Sequence, residues 1–151
     1  MLAELLNSYV HMLSVIAVGA LLFAELSVFF SAVDMYAVRR LANLHIALVA
    51  AGAVALITGI LGVVWAESPG FYLRNPNFWI KVALFVAIGL IAVPPTRHLL
   101  DWRRELAGEG NAPHPDDVVH VRRYVVAEAV LFVLIPLAAA IAARGIGIQG
   151  E

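Results

Sequence analysis

Leu41–Ala66 reads LANLHIALVAAGAVALITGILGVVWA and contains no Asp, Glu, Lys or Arg. A bilayer core of about 30 Å is crossed by ~20 apolar helical residues, so this stretch is long enough to span it. Its apolar run is continuous, without the alternation of a membrane strand, and four such segments could not close a barrel. Upstream, Leu5–Ala32 has the same character, and downstream so do Pro76–Val93 and Val121–Ala143. The sequence therefore predicts an all-α, integral membrane four-helix bundle forming a single transmembrane domain over 1–151. Short links between consecutive spans favour up-and-down topology.

Composition agrees. Of the 151 residues, 62% are hydrophobic and 14% charged, against ~45–50% and ~25% in soluble domains. Lipid has to cover the excess apolar surface. A net charge of −1 gives no field to attract nucleic acid. The absence of cysteine excludes disulfides, thiolate metal sites and covalent c-type haem. Leu5 to Phe30 is too long for a signal-peptide core and no basic segment precedes it, so a retained helix is expected.

The punctuation lies between the spans. Asp34–Arg40 and Glu67–Arg74 are short links. Asn75 before Pro76 suits a helix start. Pro94-Pro95 should kink or end the third helix, with an amphipathic extension to about Leu106. Gly108–Asp117 (GEGNAPHPDD) is the polar loop. Ala47, Ala51, Ala55 and Gly59 form a small-residue ladder that lets backbones approach. Trp65, Trp79, Trp102 and Tyr72 fit interfacial aromatic belts. Arg39, Arg40, Arg97, Arg103, Arg104, Arg122 and Arg123 lie on one side, and Arg74, Lys81 and Arg144 on the other. That asymmetry places the first side in the cytoplasm and both termini outside, in a bacterial cytoplasmic (inner) membrane.

Ionisable groups within hydrocarbon are costly and mark function or pairing. His11 and Lys81 each lie about two turns into helices that start from the same side, forming an outer polar layer. His11 is a candidate ligand or proton-transfer group, and a structural hydrogen bond is the alternative. Lys81 could instead snorkel to the headgroups. Glu25, Arg40, His45, Arg123 and Glu128 form an inner polar layer. Its arginines could be interfacial anchors, and its glutamates could simply pair with them. His98, His114 and His120 read as ordinary interfacial residues. His114 and Asp117 have metal-like spacing, but no two histidines share i, i+3 or i, i+4 spacing within a span, which disfavours zinc. No phosphate loop, HExxH or nucleophile elbow is present.

Phe71-Tyr-Leu-Arg-Asn-Pro-Asn-Phe-Trp-Ile-Lys81, Ala92-Val-Pro-Pro-Thr96 and Asp101-Trp-Arg-Arg104 resemble a bacterial family of predicted four-helix membrane proteins of unknown function. A more distant resemblance is to HemJ, the membrane-bound, haem-containing protoporphyrinogen oxidase type. It rests on Tyr9-Val-His11, Arg39-Arg-Leu41, Ile57-Thr-Gly59, Phe78-Trp-Ile-Lys81 and Arg122-Arg-Tyr-x-x-x-Glu128. Ala127 and Val130 stand where that family has Asn and Pro. The resemblance implies haem b in a redox protein, with His11 as iron ligand and Lys81 beside the cofactor. A quinone or porphyrin-like molecule would be the small partner. An assembly subunit and a small-solute or proton transporter are the competing readings, and a homo-oligomer is left open.

Topology is directly testable. Single cysteines at Ser68 and Gly150 should react with an impermeant thiol reagent from outside, and one at Asn111 should not. Labelling at Asn111 alone would reverse the orientation.

Overall fold

The computed structural model describes residues 1–65, 70, 74, 76–108 and 112–143. Tyr72, Asn75, Asn111 and Arg144, and most of the Glu67–Arg74 link, lie outside the described residues. Five helices are present: α1 (Leu2–Phe29), α2 (Met35–Val64), α3 (Pro76–Ile91), α4 (Val93–Gly108) and α5 (Pro115–Ala143). There is no strand among the described residues. α3 and α4 follow each other as one interrupted rod, giving a four-helix bundle. α1, α2 and the Phe78–Gly108 rod are each long and apolar enough to cross a membrane. α5 is the fourth helix and packs along α1 and α3.

The helices start where capping chemistry allows, earlier than the apolar runs do. Asp34 accepts from the Ala37 N–H at 2.8 Å, so α2 begins at Met35 and carries its charged first turns within the helix. α5 begins at Pro115, whose missing N–H costs nothing at that position. Asp116 and Asp117 in its first turn favour the positive end of the helix dipole. The third helix is interrupted next to Pro94 and Pro95, with α3 ending at Ile91. The two prolines occupy the first turn of α4, and the interruption falls at Ala92, whose carbonyl accepts from the Thr96 N–H at 3.1 Å.

The buried residues of α1 are Asn7, Ser14, Val18, Gly19, Leu22, Glu25, Val28 and Phe29, spaced by threes and fours along one stripe. That stripe faces α2 on one side and α5 on the other. α4 crosses the arginine-rich end and packs on both α2 and α5, burying Pro95, Leu99, Trp102 and Leu106. The apolar core sits largely at this end, with Val38 and Leu41 from α2 and Val121 and Val125 from α5. Toward the opposite end α3 packs on α5 and not on α1 or α2, among the described residues. Trp65 and Trp79 are exposed as belt residues should be, but Trp102 is 6% exposed and belongs to the core. The amphipathic helix α4 turns it inward.

The small-residue ladder holds in part. Ala55 is buried, and a Cβ on Gly59 would stand 3.3 Å from His11 Cε1. Ala47 is exposed, because four-residue steps drift about 40° around a helix and cannot stay on one seam. A tighter contact involves Gly19, where a Cβ would lie 2.9 Å from the Phe132 ring.

Gly19→Leu and Gly59→Leu should each destabilise the bundle by about 1–3 kcal/mol through overpacking. Ile57→Ala, on an exposed face, should change little. Equal melting temperatures for the three variants in detergent would refute this packing.

Candidate functional site

Two polar clusters tie α1 to α2, one toward each end. At the chain-start end, Asn7 Nδ2 donates to the Thr58 carbonyl at 2.9 Å. His11 Nδ1 lies 3.0 Å from the Ala55 carbonyl and 3.0 Å from Thr58 Oγ1. A carbonyl can only accept, so Nδ1 carries the hydrogen. Nε2 of the neutral ring is then the bare nitrogen. Thr58 Oγ1 donates to the Val54 carbonyl at 2.7 Å, leaving it to accept from His11. Ser14 donates to the His11 carbonyl at 2.7 Å. His11 is half-buried and held as a helix-to-helix tie. Lys81 is exposed, on a helix that does not touch α1. The structure therefore does not bring Lys81 beside His11, among the described residues.

The second cluster is more deeply enclosed. Glu25, His45 and Glu128 are 0%, 2% and 1% exposed. His45 and Glu128 each sit five residues beyond an arginine, Arg40 and Arg123, about 7 Å further along the helix by rise. His45 Nδ1 meets both carboxylate oxygens of Glu25, at 3.0 and 3.2 Å. Its Nε2 is 2.8 Å from Thr96 Oγ1, and that hydroxyl donates to the Ala92 carbonyl at 2.6 Å. A hydroxyl has one hydrogen. With that hydrogen directed at Ala92, Thr96 accepts from an Nε2–H. Both ring nitrogens then face acceptors, which requires a proton shared between His45 Nδ1 and Glu25.

Glu128 completes the group from α5. It lies within electrostatic reach of both His45 and Glu25, yet its Oε1 is buried without a hydrogen-bond partner. A buried polar atom left alone costs about 1–3 kcal/mol, more when charged, so this oxygen calls for a reason. Arg40 and Arg123 are exposed and take no part in the cluster. Their long side chains reach the polar region at the bundle's end. A crevice of about 110 Å³ between α2 and α4 reaches His45 and Thr96 past Ala42, Ile46, Val49, Leu99 and Leu100.

Glu25, His45 and Glu128 are thus brought together as the sequence suggests. Thr96 joins them unanticipated. Its signal was its position directly after Pro94-Pro95, where a threonine on a broken helix can turn its hydroxyl to a neighbour. Asn7 and Thr58 were also missed. Asn7 lies four residues before His11, on the same stripe, and Thr58 precedes Gly59 on the α2 face. No group of three or more metal-ligating side chains occurs among the described residues.

The family model described as "Predicted membrane protein (DUF2214)" matches residues 3–147. The chain belongs to this family. Neither a curated protein nor a solved structure matches it, and the comparisons show no likeness to HemJ. Membership in DUF2214 fits the helical membrane architecture and assigns no activity.

Removing one partner of a buried pair should cost far more than removing both. Glu25→Ala should destabilise by about 3–5 kcal/mol, and Glu25→Ala with His45→Leu should recover part of that loss. A strictly additive double variant, measured by thermal unfolding in detergent, would show that the pair is not coupled.

Proposed function

We propose that this protein is a proton-handling membrane protein whose working centre is Glu25, His45 and Glu128. The observation that supports this best is the unpartnered Oε1 of Glu128 beside the Glu25–His45 pair. An ionised carboxylate in that position would be an unpaired charge in a low-dielectric site. A carboxylic acid would be neutral. The arrangement of least charge has one proton within the Glu25–His45 hydrogen bond and a second on Glu128. The group is then electrically neutral, as hydrocarbon surroundings favour.

This proton inventory suits a relay. Adding or removing one proton leaves the centre charged, so arrival from one side favours departure toward the other. Thr96 keeps the imidazole oriented during such a step, since its hydroxyl is itself fixed on Ala92. The residues concerned sit in the cluster nearer the arginine-rich end, the side assigned to the cytoplasm by charge asymmetry. The reading belongs with transport or proton-coupled chemistry rather than with a purely structural subunit.

A second reading, haem b bound through His11, has one specific support. The Ala55 carbonyl fixes the tautomer that leaves Nε2 available, as it does for metal-bound histidines generally. Lys81 does not fit this site, being exposed on a helix away from α1. The His45 crevice is not lined by His11 either. Haem, held through His11, would supply redox chemistry.

Infrared spectroscopy of the lipid-reconstituted protein at neutral pH should show the carbonyl stretch of a buried carboxylic acid. The band should shift in D₂O and disappear in Glu128→Gln. Its absence from the wild type would refute the proton-centre reading and favour an assembly subunit. A visible spectrum of the same sample tests the second reading: a Soret band lost in His11→Ala supports it, and no band from haem-replete cells removes it.

A further inference from the structure

The proton centre, if that reading holds, needs a way in, and α5 carries a graded series of protonatable groups. His120, Tyr124 and Glu128 follow one another at four-residue spacing. Each step climbs about 6 Å and drifts about 40°, so the three form one slowly turning stripe. His120 is exposed, Tyr124 half-buried and Glu128 fully buried. The rings of His120 and Tyr124 meet edge to face with centroids 5.2 Å apart. His98 of α4 stands against the same group, its ring 6.3 Å from that of His120. His98 is two residues past Thr96, the threonine that holds His45.

Most of the other ionisable groups described at this end lie at the surface. Arg97, Asp101, Arg103 and Arg104 on α4, and Asp116, Asp117 and Arg123 on α5, are exposed, as are Arg39 and Arg40 on α2. Arg122 lies over the Phe30 ring of α1 at 5.1 Å. Among the described residues, no hydrogen bond within the protein occupies the ring nitrogens of His98, and His120 and Tyr124 make only their ring contacts. An imidazole ring carries two nitrogens, so it can take up a proton at one and release one from the other.

We propose that His98 and His120 collect protons at the arginine-rich face and pass them by way of the Tyr124 hydroxyl and water to the Glu128 carboxyl. One proton moves at each transfer. An imidazolium gives its proton to the phenol oxygen, the phenol releases its own hydrogen onward, and the carboxylate becomes the acid. No electron moves and no bond other than O–H and N–H changes. His120, exposed, and His98, half-buried, which read as ordinary interfacial residues, thus become the mouth of the path.

The test is deuterium exchange of the Glu128 acid band after rapid mixing of the reconstituted full chain with D₂O, followed by infrared. Tyr124→Phe, and His98→Ala combined with His120→Ala, should slow exchange by about tenfold or more, with the band's position and amplitude unchanged. Imidazole in the buffer should restore the rate in the double-histidine variant and leave Tyr124→Phe slow. Wild-type rates in both variants, or a slow double variant that imidazole does not rescue, would overturn the path while leaving the centre intact. A missing band in the wild type would overturn the centre and the path together.

Discussion

Hydrocarbon offers no partner to a polar group, and this constraint organises the bundle. Every ionisable or hydrogen-bonding side chain on the inner stripe of α1 has to find its complement on another helix or on the backbone. Asn7 and His11 find Thr58 and Ala55 on α2, and Glu25 finds His45. The two ties lie toward opposite ends of the same seam. Apolar packing alone would leave the helices free to slide in lipid, where there is no hydrophobic drive to associate. Two polar locks fix the register of α1 against α2, and the small residues Ala55 and Gly59 let the backbones come close enough for the upper lock to close.

The lock at the arginine-rich end draws on the interrupted third rod. Beyond the break at Ala92, α4 packs on α2, and Thr96 stands against the far nitrogen of His45. Pro94 and Pro95 thus contribute through the turn they start, and the hydroxyl that follows them completes the coordination of the ring. Glu128 arrives from a different helix, and its Oε1 is buried without a hydrogen-bond partner. The contrast between a saturated histidine and an unsaturated carboxyl gives the site its chemical asymmetry.

Much of this was legible in the residues. Continuous apolar runs gave the helices, and the polar residues within them marked His11, Glu25 and His45 as groups needing a partner. The meeting of Glu25, His45 and Glu128 followed from depth alone. Depth could not say which groups turn inward. Arg40 and Arg123 share the level of the cluster's rim but lie outside it, because flexible cations reach water where short carboxylates cannot. Lys81 shares a depth with His11, yet α3 packs on α5, and sequence spacing does not encode which helices are neighbours. Trp102 and Thr96 were hidden for a related reason: both depend on how α4 is rotated, and that is set by contacts with two other helices.

The uneven way the helices touch has a mechanical consequence. At the arginine-rich end α1, α2, α4 and α5 close on one another in a ring. Toward the other end α3 is held by α5 alone among the described residues. The bundle is therefore cross-braced by more helix pairs at one end than at the other, among the described residues. Changes in lateral pressure or thickness around the less braced end would be taken up by α3, while the ring around Glu25 and His45 stays at fixed dimensions. A site whose hydrogen bonds tolerate only tenths of an ångström is thereby insulated from the fluctuations of the lipid around it.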